Sequence, residues 1–318
     1  MRVALDATPL TLNTGGIARY VRELSRALAL EFPADDVLLL SDQRFEPPPA
    51  CPSNLRTGLP PRRWIEERWW LYGVSRESSR FRAEVFHGTH FVVPWLPLRP
   101  AVMTLHDLSP WLDPAWRQDA EFVRRRAPIL LGLGLATMVI TPSRAVKREV
   151  ISHFGLHPDR VHAVPLAANA HFHPAPPAAP AAPYFLYLGA LEARKNINML
   201  VQAWREVRRR LPVDLLLAGR VCGGSSPPAD EPGLRLLGEV PDQDLPSLYS
   251  AAAAVLYPSL YEGFGLPVLE AMQCGALVLA SRDPAIMEVA GDGAILLDSG
   301  DASGWAAAMH GAVARPGD

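Results

Sequence analysis

Short apolar runs alternate with helix-like stretches along this whole chain, and that alternation restricts the fold more than any other feature. Val3–Leu5, Val37–Leu40, Glu84–His87, Ala101–Leu105, Thr137–Ile140 and Arg160–Val164 read as strands in the first half. Tyr184–Leu188, Val213–Ala218, Leu234–Leu237, Ala254–Tyr257, Leu277–Ala280 and Ala294–Leu297 follow in the second. Strands of this kind separated by helices imply mostly parallel sheets in an α/β fold. Ligands of such sheets bind outside the carboxyl ends of the strands.

A chain of 318 residues exceeds an ordinary single domain. Pro174–Pro183 is almost entirely Pro and Ala, a stiff and extended composition. It divides the chain into a first domain over 1–173, a linker over 174–183 and a second domain over 184–318. Two Rossmann-like sheets facing each other enclose a cleft lined by the loops that follow the strands.

The chain carries no apolar run of the roughly 18 residues that a membrane span needs, and its start reads as a strand, not a signal peptide. Three scattered cysteines, Cys51, Cys222 and Cys274, support neither a disulfide framework nor a zinc site. A cytoplasmic protein is expected. Charge is uneven: residues 1–183 carry 21 Lys and Arg against 17 Asp and Glu, and residues 184–318 carry 10 against 16. The basic first half suits an anionic membrane surface or a pyrophosphate-bearing acceptor; a chance surface bias is the plainer alternative. Arg62–Val74, with Trp64, Trp69 and Trp70 among arginines, reads either as a membrane-surface helix or as a helix packing its aromatics into the first core.

Chemistry concentrates at a few places. Glu262-Gly-Phe-Gly-Leu-Pro-Val-Leu-Glu270 puts one carboxylate on a loop and a second one turn into a helix. Pro267 suits the first turn of that helix and Gly275 its end. Amides around Gly265 and Leu266 form an anion-binding helix start, and carboxylates beside it accept from sugar or ribose hydroxyls. Arg194 and Lys195 follow strand Tyr184–Leu188 and suit a diphosphate; a solvated helix start is the alternative, although cations are unfavourable there. His106 ends strand Ala101–Leu105, where it can meet a sugar hydroxyl or a phosphate, and Asp107 either orients its ring or caps the next turn. Gly15-Gly16 resembles a phosphate-cradling turn, but neither dinucleotide nor triphosphatase glycine fingerprints are present. Asp242-Gln243-Asp244 matches a metal-holding D-x-D pattern, and is read instead as helix capping. No metal site and no nucleic-acid surface is expected.

With these motifs in hand, the chain resembles bacterial family 4 glycosyltransferases of the two-domain GT-B fold. The likeness rests on Tyr257–Met272, Gly189–Asn196, Leu5-Asp6-Ala7 with Thr14–Ile17, and His87–Phe91 with Thr104–Asp107. It is similar to the mannosyltransferase branch of O-antigen and exopolysaccharide assembly. The resemblance implies that Glu262 binds donor-sugar hydroxyls, and that Phe264, Gly265 and Leu266 offer backbone N–H groups to sugar and phosphate. It further implies that Glu270 holds the ribose, Arg194 and Lys195 neutralise the diphosphate, His106 contacts the sugar, and Gly15 and Gly16 stand near the phosphates. It implies a metal-independent, retaining transfer from a nucleotide sugar, GDP-mannose or a UDP-sugar, to a saccharide acceptor, in one form lipid-linked at an anionic membrane. The family's terminal helices that return to the first domain do not appear before Asp318. A sugar-nucleotide epimerase of the same fold and a non-catalytic nucleotide-sugar binder are the rival readings.

Overall fold

The structure is a computed structural model that describes residues 1–12, 15–58, 68–113, 116, 120–176, 182–222 and 231–314. The chain forms two compact units, one of Met1–Leu112, Gln118–Pro142 and Val146–Val164, the other of Asp113–Arg117, Ser143–Ala145 and Pro165–Asp318.

The first unit holds strands β1 (Arg2–Asp6), β2 (Asp36–Leu40), β3 (Leu55–Thr57), β4 (Val85–Gly88), β5 (Ala101–Thr104), β6 (Met138–Thr141) and β7 (Val161–Ala163). They pair in the order β3-β2-β1-β4-β5-β6-β7, every pair parallel. Helices α1 (Gly16–Glu31), α2 (Val74–Arg80), α3 (Ser109–Leu112), α4 (Glu121–Gly132) and α5 (Arg144–Phe154) lie among them in the chain. On α1 the buried residues are Ala18, Val21, Ser25 and Ala29, a stripe at helical spacing that packs on Leu5, Val37 and Leu39.

The second unit holds β8 (Tyr184–Leu188), β9 (Asp214–Ala218), β10 (Leu234–Gly238), β11 (Ala254–Tyr257), β12 (Val278–Ser281) and β13 (Ile295–Leu297), in the order β10-β9-β8-β11-β12-β13, again all parallel. Its helices are α6 (Ile197–Arg208), α7 (Leu245–Ala251), α8 (Leu266–Gln273), α9 (Pro284–Ala290) and α10 (Ala302–Ala314). Side chains alternate across a strand, and both faces of this sheet are covered. Phe185, Tyr187, Leu215 and Leu217 join one core with Trp204 of α6 and Trp305 of α10. Tyr184, Leu186, Leu216 and Ala218 join the other with Val268 and Ala271 of α8. The continuous apolar runs that mark these strands are the signature of such two-sided burial. Phe172, ahead of the Pro/Ala segment, is part of that second core.

Both sheets reverse direction of growth at one point, between β1 and β4 and between β8 and β11. Loops diverge there, and a ligand crevice forms outside the carboxyl ends of the strands. The sequence reading misses β3, an edge strand of three residues with Leu55 alone buried, too short for a periodic signal. A 3₁₀ turn, Thr8–Leu12, lies between β1 and the Gly15-Gly16 turn.

The Trp-rich stretch resolves into a π-helical turn, Trp69–Gly73, that runs into α2. Trp69 is 3% exposed, which corrects the membrane-surface reading for this ring. Trp64, Arg62 and Arg63 lie outside the described residues, as do Thr14 and residues 177–181 of the Pro/Ala segment. Among the described residues, no helix is long and apolar enough to cross a membrane. Truncating a buried Trp leaves a cavity, so Trp69→Ala is expected to destabilise the protein by about 3–5 kcal/mol. Denaturant midpoints measure this; an unchanged midpoint contradicts a core position.

Candidate functional site

The loops after β8 and β11 flank the reversal point of the second sheet. After β8 the chain makes a 3₁₀ turn, Ala193–Lys195, before α6 starts at Ile197 behind Asn196. Asn196 adopts a left-handed backbone, φ +58°, a conformation Asn tolerates better than most residues. Its amide donates to the carbonyls of Ser299 at 2.8 Å and Pro258 at 3.3 Å. The Leu260 N–H donates to the Arg194 carbonyl at 2.9 Å, so the two loops are joined backbone to backbone. Arg194 and Lys195 therefore do not form a solvated helix start: both are buried.

They converge on Glu262. Lys195 Nζ donates to Glu262 Oε1 at 2.5 Å and Arg194 Nη1 to Oε2 at 3.1 Å. Arg194 also donates to the Tyr261 carbonyl and to Glu192 Oε1, both at 2.7 Å. The Lys195 ammonium lies 5.4 Å from the centroid of the Tyr257 ring and 3.4 Å from its hydroxyl. Burial opposes ionisation of Glu262, but Lys195 and Arg194 outweigh it and hold the carboxyl at about 2. Burial in turn pulls the Lys195 ammonium down, against the attraction of Glu262. Removing one member of such a buried set strands the others, which is far costlier than losing a surface pair.

Asp283 supports the loop from behind. It caps α9 by accepting from the N–H groups of Ala285 and Ile286 at 2.9 and 3.1 Å, and it accepts from the Glu262 N–H at 3.3 Å. Burial, joined by the charge of Glu262, raises its carboxyl to about 6.

After Phe264, Gly265 takes φ +96° as the residue before α8, a conformation that costs glycine least. Pro267 has no N–H, and Val268 bonds back to the Gly265 carbonyl. The amides that this helix start can offer an anion are therefore those of Gly265 and Leu266. The helix closes as expected: the Gly275 N–H reaches the Met272 carbonyl and the Ala276 N–H the Ala271 carbonyl, each at 3.0 Å, the paired bonds of a Schellman stop. Glu270 lies one turn into α8, 1% exposed, with the Tyr249 hydroxyl donating to its Oε2 at 3.1 Å. Asp242–Asp244 forms a 3₁₀ turn ahead of α7, and Asp244 makes no side-chain capping bond there. The Asp244 carboxylate can favour the helix start through its charge.

In the first unit, His106 follows β5 and is half-buried. Its Nε2 lies 2.8 Å from the Thr89 carbonyl. A carbonyl only accepts, so Nε2 carries the proton. The Tyr20 ring meets the imidazole edge to face, 4.9 Å between centroids. Asp107 does not orient that ring; its Oδ1 accepts from the Ser109 N–H and hydroxyl at 2.9 and 2.7 Å and caps α3. Gly15 and Gly16 are exposed at the start of α1, and Tyr20, four residues after Gly16, links that start to His106. His87 and the hydroxyl of Thr104 are 2.7 Å apart in the interior, and burial, aided by the charge of His106, lowers the His87 imidazole to about 4.

Glu192, Tyr257, Asp283, Tyr20 and His87 were not singled out by the sequence reading. Asp283-Pro284 carries a local signal, a capping residue before a first-turn proline. The others come together only through folding.

The geometry is that of an α/β protein with ligand crevices at two strand-order reversals, and comparison with known proteins gives it a class. Residues 14–172 match the family described as Glycosyltransferase Family 4, and residues 182–315 that described as Glycosyl transferases group 1. The O-antigen chain mannosyltransferase B of Escherichia coli is 30% identical over 95% of this chain and 87% of its own length. A serotype-specific mannosyltransferase, WbdA, of the same organism is 31% identical over 63% of this chain, which spans 27% of that longer protein. Among solved structures, a sucrose-phosphate synthase from Thermosynechococcus elongatus superposes with a TM-score of 0.72 at 21% identity, over 99% of this chain and 90% of the other. The fold is GT-B. The chain belongs to glycosyltransferase family 4.

The His87 imidazole carries a pH dependence with a definite sign. Its folded value of about 4 lies below the ordinary 6.5, so the unfolded chain takes up a proton that the native state refuses. The stability this provides is complete above pH 6.5 and is lost as pH falls toward 4, by about 3 kcal/mol in all. His87→Gln keeps a partner for Thr104 and removes the titration. Between pH 6.5 and 4 the stability of the wild type is expected to fall toward that of the variant. Asp6 and Asp283, each raised to about 6 by burial, act with the opposite sign in both proteins and cancel in the difference. Parallel pH profiles would refute the assignment.

Proposed function

We propose that this glycosyltransferase is a retaining enzyme that moves mannose from GDP-mannose to a hydroxyl of a saccharide acceptor, lipid-linked, in cell-surface polysaccharide assembly. The observation that carries the reading is the buried set of Arg194, Lys195 and Glu262 beside the amides of Gly265 and Leu266, at the strand-order reversal of the second sheet. The choice of mannose and of an O-antigen acceptor is supported by the relatives' names.

The chemistry follows from charge. The acceptor oxygen bonds to the anomeric carbon while the carbon–oxygen bond to the diphosphate breaks. Positive charge grows on the sugar and negative charge on the leaving phosphate. Arg194, Lys195 and the start of α8 stabilise that negative charge where it develops, in a site already aligned for it. The hydroxyl proton passes to the departing phosphate on the same face, which keeps the anomeric configuration without a covalent protein intermediate. Glu262, Phe264, Gly265 and Leu266 hold the sugar and phosphates, Glu270 the ribose, and His106 the sugar near the reacting carbon. Gly15 and Gly16 let the start of α1 approach the phosphates. The protein's own cations serve the leaving group, so no metal is required.

Radiolabelled mannose from GDP-mannose is expected to appear in a saccharide acceptor in the presence of excess EDTA, with little from UDP-glucose. Glu270→Ala loses charge-assisted hydrogen bonds of about 1.5–3 kcal/mol, so GDP affinity is expected to fall roughly 10- to 100-fold. Turnover of the donor without any acceptor would favour an epimerase, binding without transfer a non-catalytic protein. Loss of activity in EDTA, restored by Mg²⁺, overturns the metal-independent mechanism.

A lipid-linked acceptor brings the enzyme to a membrane surface. Exposed apolar side chains of the first unit, Leu71, Tyr72, Leu96, Leu98, Phe122, Ile129 and Leu133, support that contact. Co-sedimentation with anionic vesicles is expected at low salt, and release at high salt. Equal binding to neutral vesicles counts against it.

A further inference from the structure

We propose that Arg126, with the rings of Trp70, Trp95 and Phe122 around it, is a binding site for the phosphate that joins the acceptor's saccharide to its lipid. The inference deepens the reading of a lipid-linked acceptor and rests on it. Arg126 lies on α4 and is 6% exposed. Its guanidinium carbon stands 5.2 Å from the centroids of the Trp70 and Trp95 rings and 5.1 Å from that of Phe122. Among the described residues no carboxylate pairs with it, and burial pulls the guanidinium down from its usual value to about 10.

A guanidinium carries five N–H donors and no acceptor. Here Nη2 reaches one acceptor, the Val93 carbonyl, at 3.5 Å, a long contact for such a bond. Nε is enclosed and has no hydrogen-bond partner. Among the described residues Nη1 has none either, and it is not enclosed as Nε is. Ring faces answer the positive charge, but they are poor acceptors for its N–H groups. A buried charge without a partner is costly. An anion with several oxygens supplies what the rings lack, acceptors matched to the planar fork.

The rim of the site selects a lipid. Phe122, Leu96 and Tyr72 are exposed apolar side chains; Leu96 follows Trp95, and Tyr72 is two residues after Trp70. One cation walled by rings, with apolar surface at its edge, fits one phosphate on a hydrocarbon chain. A diffuse basic surface would respond to membrane charge in general. The walls are fixed to each other: the Trp95 N–H donates to the Trp70 carbonyl at 2.9 Å, and the Ser75 hydroxyl to the Leu96 carbonyl at 2.6 Å. Position favours the acceptor over a bilayer lipid. Arg126 bonds to the Val93 carbonyl and His106 to that of Thr89, four residues earlier on the same loop, a span of at most about 14 Å. That separation suits a short saccharide with its phosphate at Arg126 and its far end toward His106.

The test uses the full chain and phosphatidylcholine vesicles doped with polyprenyl phosphate, with the matching polyprenyl alcohol, or with phosphatidylglycerol at the same surface charge as the phosphate. The wild type is expected to bind the polyprenyl phosphate vesicles at least about tenfold more tightly than either of the others. Arg126→Gln is expected to lose that preference, with GDP affinity and binding to the alcohol vesicles within about twofold of wild type. Arg126→Lys, which keeps the charge but not the fork, is expected to retain part of it. A preference that survives in Arg126→Gln overturns the proposal and leaves the arginine a cation packed among rings. Equal binding to phosphatidylglycerol, or displacement by inorganic phosphate at the concentration of the lipid phosphate, overturns the assignment to the acceptor. Should the variants fail to fold, a photoreactive polyprenyl phosphate on the wild type decides: its label is expected on α4 or on Trp95 and Leu96, and a label confined to other segments overturns the site. If the wild type transfers mannose equally to lipid-free and lipid-linked saccharide, the lipid-linked reading falls and the acceptor assignment with it. The vesicle and labelling results then report separately whether Arg126 holds a lipid phosphate.

Discussion

Parallel pairing is the constraint on which everything else in this protein depends. A parallel strand needs a crossover before its neighbour can form, so every strand of a sheet ends on the same side. Where the strand order reverses, the loops must part. In each unit that point falls beside the first strand, between β1 and β4 and between β8 and β11. Side chains in the adjoining loops then face a crevice that the backbone pattern itself creates. His106, Arg194, Lys195 and Glu262 all follow strands that end there or next to it.

Placing charges in such a crevice has a cost, and the second unit meets it locally. Two cations and two carboxylates, Arg194 and Lys195 with Glu192 and Glu262, share one set of short hydrogen bonds. Bare burial of any one of them would drive it toward its neutral form. Together they keep Glu262 ionised far below the ordinary carboxylate range. A site assembled in this way is stiff, because each member needs the others. That suits donors that must already be aligned when charge develops on a leaving group.

In the first unit the imidazole of His106 has surroundings of another kind. The Thr89 carbonyl accepts from its Nε2, and the rings of Tyr20, Phe91 and His90 lie against it. Phe91 beside it is held at φ +58°, in keeping with strain clustering at functional sites. Paired buried charge thus marks the second unit, and carbonyl and aromatic contacts mark the surroundings of His106 in the first.

The sequence by itself determined the α/β class, the strands of both sheets apart from the edge strand β3, and the limits of α8. It did so because two-sided burial writes continuous apolar runs, and because Pro267 and Gly275 act on their own neighbours. It also determined the family, since Glu262–Glu270 and Gly189–Asn196 are contiguous. Only the tertiary structure decided that Arg194 and Lys195 are buried and paired with a carboxylate 67 and 68 residues away. Only it decided that Trp69 belongs to a core, that Asp107 caps a helix, and that Tyr20 reaches His106. None of these leaves a local signal. Burial and pairing are properties of where two distant segments meet, and a residue's own neighbours in the chain carry no record of that meeting.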